Sequence, residues 1–184
     1  MLWIGTEDGG LNRFNLNTKE FSFFAPSAGF TNIHGLCLVD DKLWVGTFSK
    51  GLKIIDTRTG TVLKTYQKNS SPRSLIDNSI FAICRTATGD IYLGTMFGLV
   101  KYNKQSDDFD RIPELNGKFV YDIKEDSGGN IWLATYANGA YCYNVNDRKW
   151  KNYVHDEKDT TSLSYNKVSS IFEDSYHRIW LTTQ

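Results

Sequence analysis

The side chains able to do chemistry in these 184 residues are dispersed along the chain. His34, His155 and His177 stand far apart with no metal-ligand spacing, and neither Cys-x-x-Cys nor His-x-x-x-His occurs. Carboxylates fall in adjacent pairs at Asp40-Asp41, Asp107-Asp108, Glu125-Asp126 and Glu173-Asp174, in predicted turns, where closing the turn explains them better than proton transfer. No catalytic residue, metal site or cofactor is assigned on this basis. What remains is recognition. Phe48, Phe97 (within Met96-Phe97) and Tyr136 follow a recurring Gly-Thr step, where the first copy has Glu7-Asp8. Three aromatic rings on one circle of loops would form a stacking platform for sugar rings or for a partner protein, and these are the candidate ligand-binding residues.

The Gly-Thr step belongs to a longer pattern that must position those rings. Leu2-Trp3-Ile4-Gly5-Thr6 returns as Leu43-Trp44-Val45-Gly46-Thr47, Ile91-Tyr92-Leu93-Gly94-Thr95 and Ile131-Trp132-Leu133-Ala134-Thr135. A fifth copy, Ile179-Trp180-Leu181-Thr182-Thr183, begins at 179. Periods of this length built from short strands indicate a β-propeller, one blade per repeat. The register extends further: Gly10, Gly51, Gly98 and Gly139 are each followed five residues later by Asn15, Asp56, Asn103 and Asn144. Each Gly tolerates positive φ, and each Asn or Asp can close a local turn through its side chain.

Every repeat therefore predicts four antiparallel strands. An apolar motif strand is buried on both faces, a Gly-led strand follows, and a half-wet outer strand starts near Phe21, Val62, Phe109 or Trp150. A further strand precedes each motif, at Ile33 to Val39, Ile80 to Arg85, Phe119 to Glu125 and Val168 to Asp174, joined to it by polar turns such as Asp126-Ser127-Gly128-Gly129-Asn130. Sixteen or seventeen strands are expected. The fold class is all-β, a partial β-propeller of about four blades over residues 1–184, with repeats starting at 2, 43, 91 and 131. The longer repeats carry Ser74-Leu75 and Ser162-Leu163 in the loops Lys68 to Asn78 and His155 to Asn166. Both leucines are predicted to plug gaps between blades.

Lys and Arg total 21 against 21 Asp and Glu, giving no net charge and a pI near 6.8, so no electrostatic footprint for nucleic acid is present. No apolar run reaches membrane-spanning length, and no membrane contact is expected of this segment. Cys37, Cys84 and Cys142 cannot all pair; Cys37 and Cys84 hold matching places in successive blades, and all three are expected to be free thiols. Closing four blades into a ring would make Ile179 to Thr183 compete with Leu2 to Thr6. The chain is therefore expected to be a piece of a longer array, pairing through open edges with further blades or a second copy.

An apolar run with Trp, then Gly-Thr, Gly-Leu, and an aromatic followed by Asn or Asp, resembles the two-component regulator propeller repeat. Leu43 to Thr47 with Gly51-Leu52 and Asp56, Asp126 to Leu133, and Ser162-Leu163-Ser164 carry the likeness, which extends over essentially the whole chain. Ala134 and Thr182 replace the family's Gly, and Ala140 its Leu. The resemblance implies the periplasmic, extracytoplasmic sensor half of a hybrid two-component protein, in which this segment binds a glycan fragment without catalysis and the parent carries a histidine kinase. The alternatives are a carbohydrate-active propeller enzyme, lyase or glycosidase, and a protein-interaction scaffold.

Overall fold

The computed structural model describes residues 1–23 and 32–184. Among these residues, seventeen strands fall into five antiparallel sheets, each a meander in chain order. The first blade holds β1 (Leu2–Thr6), β2 (Gly10–Phe14) and β3 (Phe21–Phe23). The second holds β4 (Ile33–Val39), β5 (Lys42–Thr47), β6 (Leu52–Asp56) and β7 (Val62–Tyr66). The third holds β8 (Ile80–Arg85), β9 (Ile91–Thr95), β10 (Gly98–Asn103) and β11 (Asp108–Arg111). The fourth holds β12 (Val120–Glu125), β13 (Ile131–Thr135), β14 (Ala140–Asn144) and β15 (Lys149–Tyr153), and the fifth β16 (Val168–Glu173) and β17 (Ile179–Thr183). The second, third and fourth blades have the expected four strands. β16 pairs with β17 and not with β1, so the sheets follow one another without closing.

The recurring motif forms the second strand of each complete blade, and its parts have separate tasks. Leu43, Val45, Leu93 and Leu133 are buried, as strands covered on both faces require. The Gly admits the next blade: a Cβ on Gly46 would lie 2.7 Å from Ile80 Cγ2, and one on Gly94 2.7 Å from Val120 Cγ1. In the fourth blade Ala134 packs in a cluster with Val168 and Ile171 instead. The Thr ties off the hairpin. Thr47, Thr95 and Thr135 donate through Oγ1 to the carbonyls of Gly51, Gly98 and Gly139 at 2.8, 2.9 and 2.6 Å. Each also accepts a backbone N–H, from Lys50, Phe97 and Asn138.

The predicted turn closures are seen in all four repeats. Asn15, Asp56, Asn103 and Asn144 accept from backbone N–H groups two and three residues on, at 2.8 to 3.3 Å. Gly51 and Gly139 have φ of +78° and +73°, a region that disfavours any residue with a Cβ. Leu75 is fully buried among Trp44, Leu52, Ile80 and Val100, and Leu163 is half-buried beside Ala134 and Val168. The shorter loop before β12 has its own plug. A 3-10 turn, Pro113–Leu115, buries Leu115 against Leu99 and Val120, a role the sequence did not announce.

All three cysteines are free, with Cys142 buried and the other two half-buried. Each inner-strand thiol lies beside a backbone N–H of the following blade, Cys37 by that of Arg85 and Cys84 by that of Glu125. Burial raises all three thiols, Cys142 to about 11.

Candidate functional site

Two repeating devices build one end of the blades. The first is a β-bulge one residue into every inner strand. Pairing skips between Ile33 and Gly35, Ile80 and Ala82, Val120 and Asp122, and Val168 and Ser170. The first residue of each set is buried, and for Ile33, Ile80 and Val120 it lies against the Gly of the preceding blade. The skipped residue is left out of the ladder and re-aimed, as bulged residues are. In chain order these are His34, Phe81, Tyr121 and Ser169.

The second device is the hairpin after the Gly-Thr step, stitched to the loop entering the next blade. Phe48 N donates to the Asn32 carbonyl at 2.9 Å, Met96 N to Ser79 at 3.1 Å and Tyr136 N to Phe119 at 3.0 Å. These bonds place the residue after Thr beside the bulged one.

Together the devices make a continuous aromatic strip across the second to fourth blades. His34 and Phe81 have ring centroids 4.7 Å apart, and Phe48 lies 6.3 Å from each. Phe81 meets Phe119 at 4.4 Å, Phe119 stacks on Tyr121 at 4.3 Å, and Tyr136 stacks on Phe119 at 5.7 Å. Phe48 is 40% and Tyr136 46% exposed, while Phe81, Phe119 and Tyr121 are half-buried. Inner rings pack against outer ones, so the exposed carbon of the strip is pre-ordered. Lys167 Nζ lies 5.0 Å from the Tyr136 ring centroid at one end of the strip.

Of the three predicted rings, Phe48 and Tyr136 are thus brought into one surface, and Phe97 is not. Met96 is the residue equivalent to Phe48 and Tyr136, because the β9–β10 hairpin is a two-residue turn with Thr95 directly opposite Gly98. Phe97 is 52% exposed and makes no ring–ring contact among the described residues. Sequence reasoning missed His34, Phe81, Phe119 and Tyr121. Their signal was the shared offset: Ile33-His34, Ile80-Phe81 and Val120-Tyr121 each put a ring directly after the first aliphatic of an inner strand.

The paired carboxylates hold the scaffold. Asp126 accepts from the N–H groups of Gly128 and Asn130 and from Trp132 Nε1, and Asp174 accepts from Tyr176, Arg178 and Trp180 Nε1 in the same way. Partial burial pushes both carboxyls up, but these hydrogen bonds outweigh it and hold them low, Asp174 at about 2. Glu125 reaches the Ala87 N–H at 2.7 Å and Glu173 the Ser127 N–H at 2.8 Å, clamping neighbouring blades. Ser127, His177 and Glu173 also converge. Ser127 Oγ and Glu173 Oε1 both approach the same ring nitrogen, Nδ1, at 2.8 and 3.2 Å, whereas a nucleophilic relay needs hydroxyl and carboxylate on opposite nitrogens.

Two grooves lie elsewhere. One of 760 Å³ opens at the opposite end of the strands, between the second and third blades, beside Trp44 and Tyr102. Two ion pairs cross its lining, Arg85 with Asp40 at 3.2 Å and Lys101 with Asp90 at 2.8 Å, and Lys42 and Lys104 line it as well. Another, of 540 Å³, runs beside β17 among Trp132, Tyr153, Leu163 and Leu181. Among the described residues no helix is long and apolar enough to cross a membrane.

The two-component regulator propeller pattern matches residues 74–97, 114–137 and 162–184. Each match runs from an inter-blade loop through the inner strand into the motif strand. The whole chain is 30% identical to histidine kinase P4 of Formosa agariphila, of whose length it spans 11%. The extracellular domain of a B. thetaiotaomicron protein, described as a hybrid two component system, superposes with a TM-score of 0.79 at 22% identity, over 98% of this chain and 23% of that one. Virginiamycin B lyase from Staphylococcus aureus gives 0.58 at 17% identity, over 82% of this chain and 48% of the lyase. The two structural likenesses concern the fold alone, a scaffold shared by a two component system and a lyase.

Proposed function

The chain carries two-component regulator propeller repeats, and from that premise we propose that it is a sensing segment of the extracytoplasmic, periplasmic part of a hybrid two-component signalling protein. In this reading it recognises a glycan fragment, and occupancy is passed to a histidine kinase elsewhere in the parent; the segment itself binds and does not catalyse. The observation that carries the proposal is the aromatic strip from His34 and Phe48 to Tyr136. Pyranose rings present C–H faces that stack on exposed aromatic carbon, and this strip offers such carbon at one end of the blades, with the paired carboxylates engaged in turns and clamps. The 30% identity to a histidine kinase, over the whole of this chain, supports the signalling half of the reading.

Calorimetric titration of the chain with a panel of oligosaccharides tests it. Phe48→Ala or Tyr136→Ala is expected to weaken binding by about 1 to 3 kcal/mol, the scale of removing one stacked ring. Phe97→Ala is expected to leave affinity unchanged, since Phe97 stands outside the strip. A panel in which no saccharide binds would overturn the glycan reading.

A further inference from the structure

We propose that the glycan recognised on this face carries an acidic group, a carboxylate or a sulfate, seated at Lys167; the inference rests on the glycan reading above and adds the charge of the ligand. Lys167 directly precedes Val168, the buried first residue of β16, and its carbonyl accepts from Gln184 N at 3.1 Å. It therefore holds the same place as Asn32, Ser79 and Phe119 in the earlier blades, the row of residues whose carbonyls receive the hairpin N–H groups. Its backbone is fixed by that bond. Its side chain is half-buried, and its ammonium is held 5.0 Å from the centroid of the exposed Tyr136 ring.

Among the described residues no carboxylate lies within ion-pair distance of this ammonium. An ammonium offers three donors and no acceptor, and contact with a ring face leaves those donors to solvent or to a ligand oxygen. An oxyanion delivered beside this ammonium gains a charge-assisted hydrogen bond, an interaction that weakens as salt rises. The opposite sign occupies the other end of the row: Glu7 and Asp8 stand after the Gly-Thr step of the first blade, where Phe48 and Tyr136 stand in theirs. A sugar lying along the strip is thus oriented, with its acidic substituent toward the fourth and fifth blades and its neutral end toward the first.

The test is titration of the chain with matched oligosaccharides of equal length and linkage, as neutral, uronic-acid and sulfated forms, at low and high salt. The expected result is that an acidic form binds about tenfold more tightly than its neutral counterpart at low salt, with the difference shrinking as salt rises. Lys167→Met keeps the apolar stem over Tyr136 and is expected to abolish the preference for the acidic form over its neutral counterpart; Lys167→Arg is expected to keep it. Equal binding of neutral and acidic forms, or a preference that survives Lys167→Met, overturns the inference and leaves the glycan reading standing. Failure of every saccharide to bind overturns both.

Discussion

Asp126 and Asp174 each satisfy several turn N–H groups and one indole, and that geometry makes the fold sensitive to acid in a definite direction. Their folded pKa values lie below the ordinary 3.8, so their stabilisation is complete above about pH 4 and is lost as pH falls toward the folded values, about 2 for Asp174. Thermal scans are expected to show a midpoint that drops between about pH 4 and 2, and a flatter profile when both are changed to Asn. An unchanged slope in the double variant would remove the carboxylates from the account. These turn residues were readable in sequence because Asn15, Asp56, Asn103 and Asn144 recur at one offset from a Gly and act only on their own neighbours. His34, Phe81 and Tyr121 were not. A bulge reverses the face on which a residue emerges, and alternation along a strand carries no mark of it.

The element that sets blade spacing is the motif strand, whose Gly leaves room for an aliphatic side chain of the next inner strand. Gly94→Ala would bring a Cβ to 2.7 Å from Val120 Cγ1 and 3.1 Å from both its Cβ and its carbonyl oxygen, so side chain and backbone both resist. The expected cost is about 1 to 3 kcal/mol, read by denaturant unfolding, with partial recovery in the Gly94→Ala/Val120→Ala pair. Full additivity of the two costs would show that the residues do not act through this contact. The Gly was legible as a point of close approach, since four related copies put a small residue there. What approached it was not legible, because Ile33, Ile80 and Val120 belong to the following blade. Leu115 escaped notice for a similar reason. Its loop lacks the Ser-Leu pair that marked Leu75 and Leu163, and a 3-10 turn delivers the plug by another route.

At the scale of the molecule, blade order and strand count follow from the period of the sequence, while the aromatic surface arises only once blades stand side by side. Phe48 lies in the second blade, Phe81 leads the third and Phe119 with Tyr136 belongs to the fourth, and their rings meet because successive inner strands pack together. The central claim is that this end of the blades, and not the 760 Å³ groove at the other end, receives the ligand. Hydrogen–deuterium exchange with and without a bound oligosaccharide tests it most directly. The account predicts slowed exchange in the segments carrying His34, Phe48, Phe81, Phe119 to Tyr121, Tyr136 and Lys167, with the turns carrying Asp40, Asp90 and Lys104 unaffected. Protection confined to those turns, or the same exchange with and without ligand on the aromatic face, would contradict it.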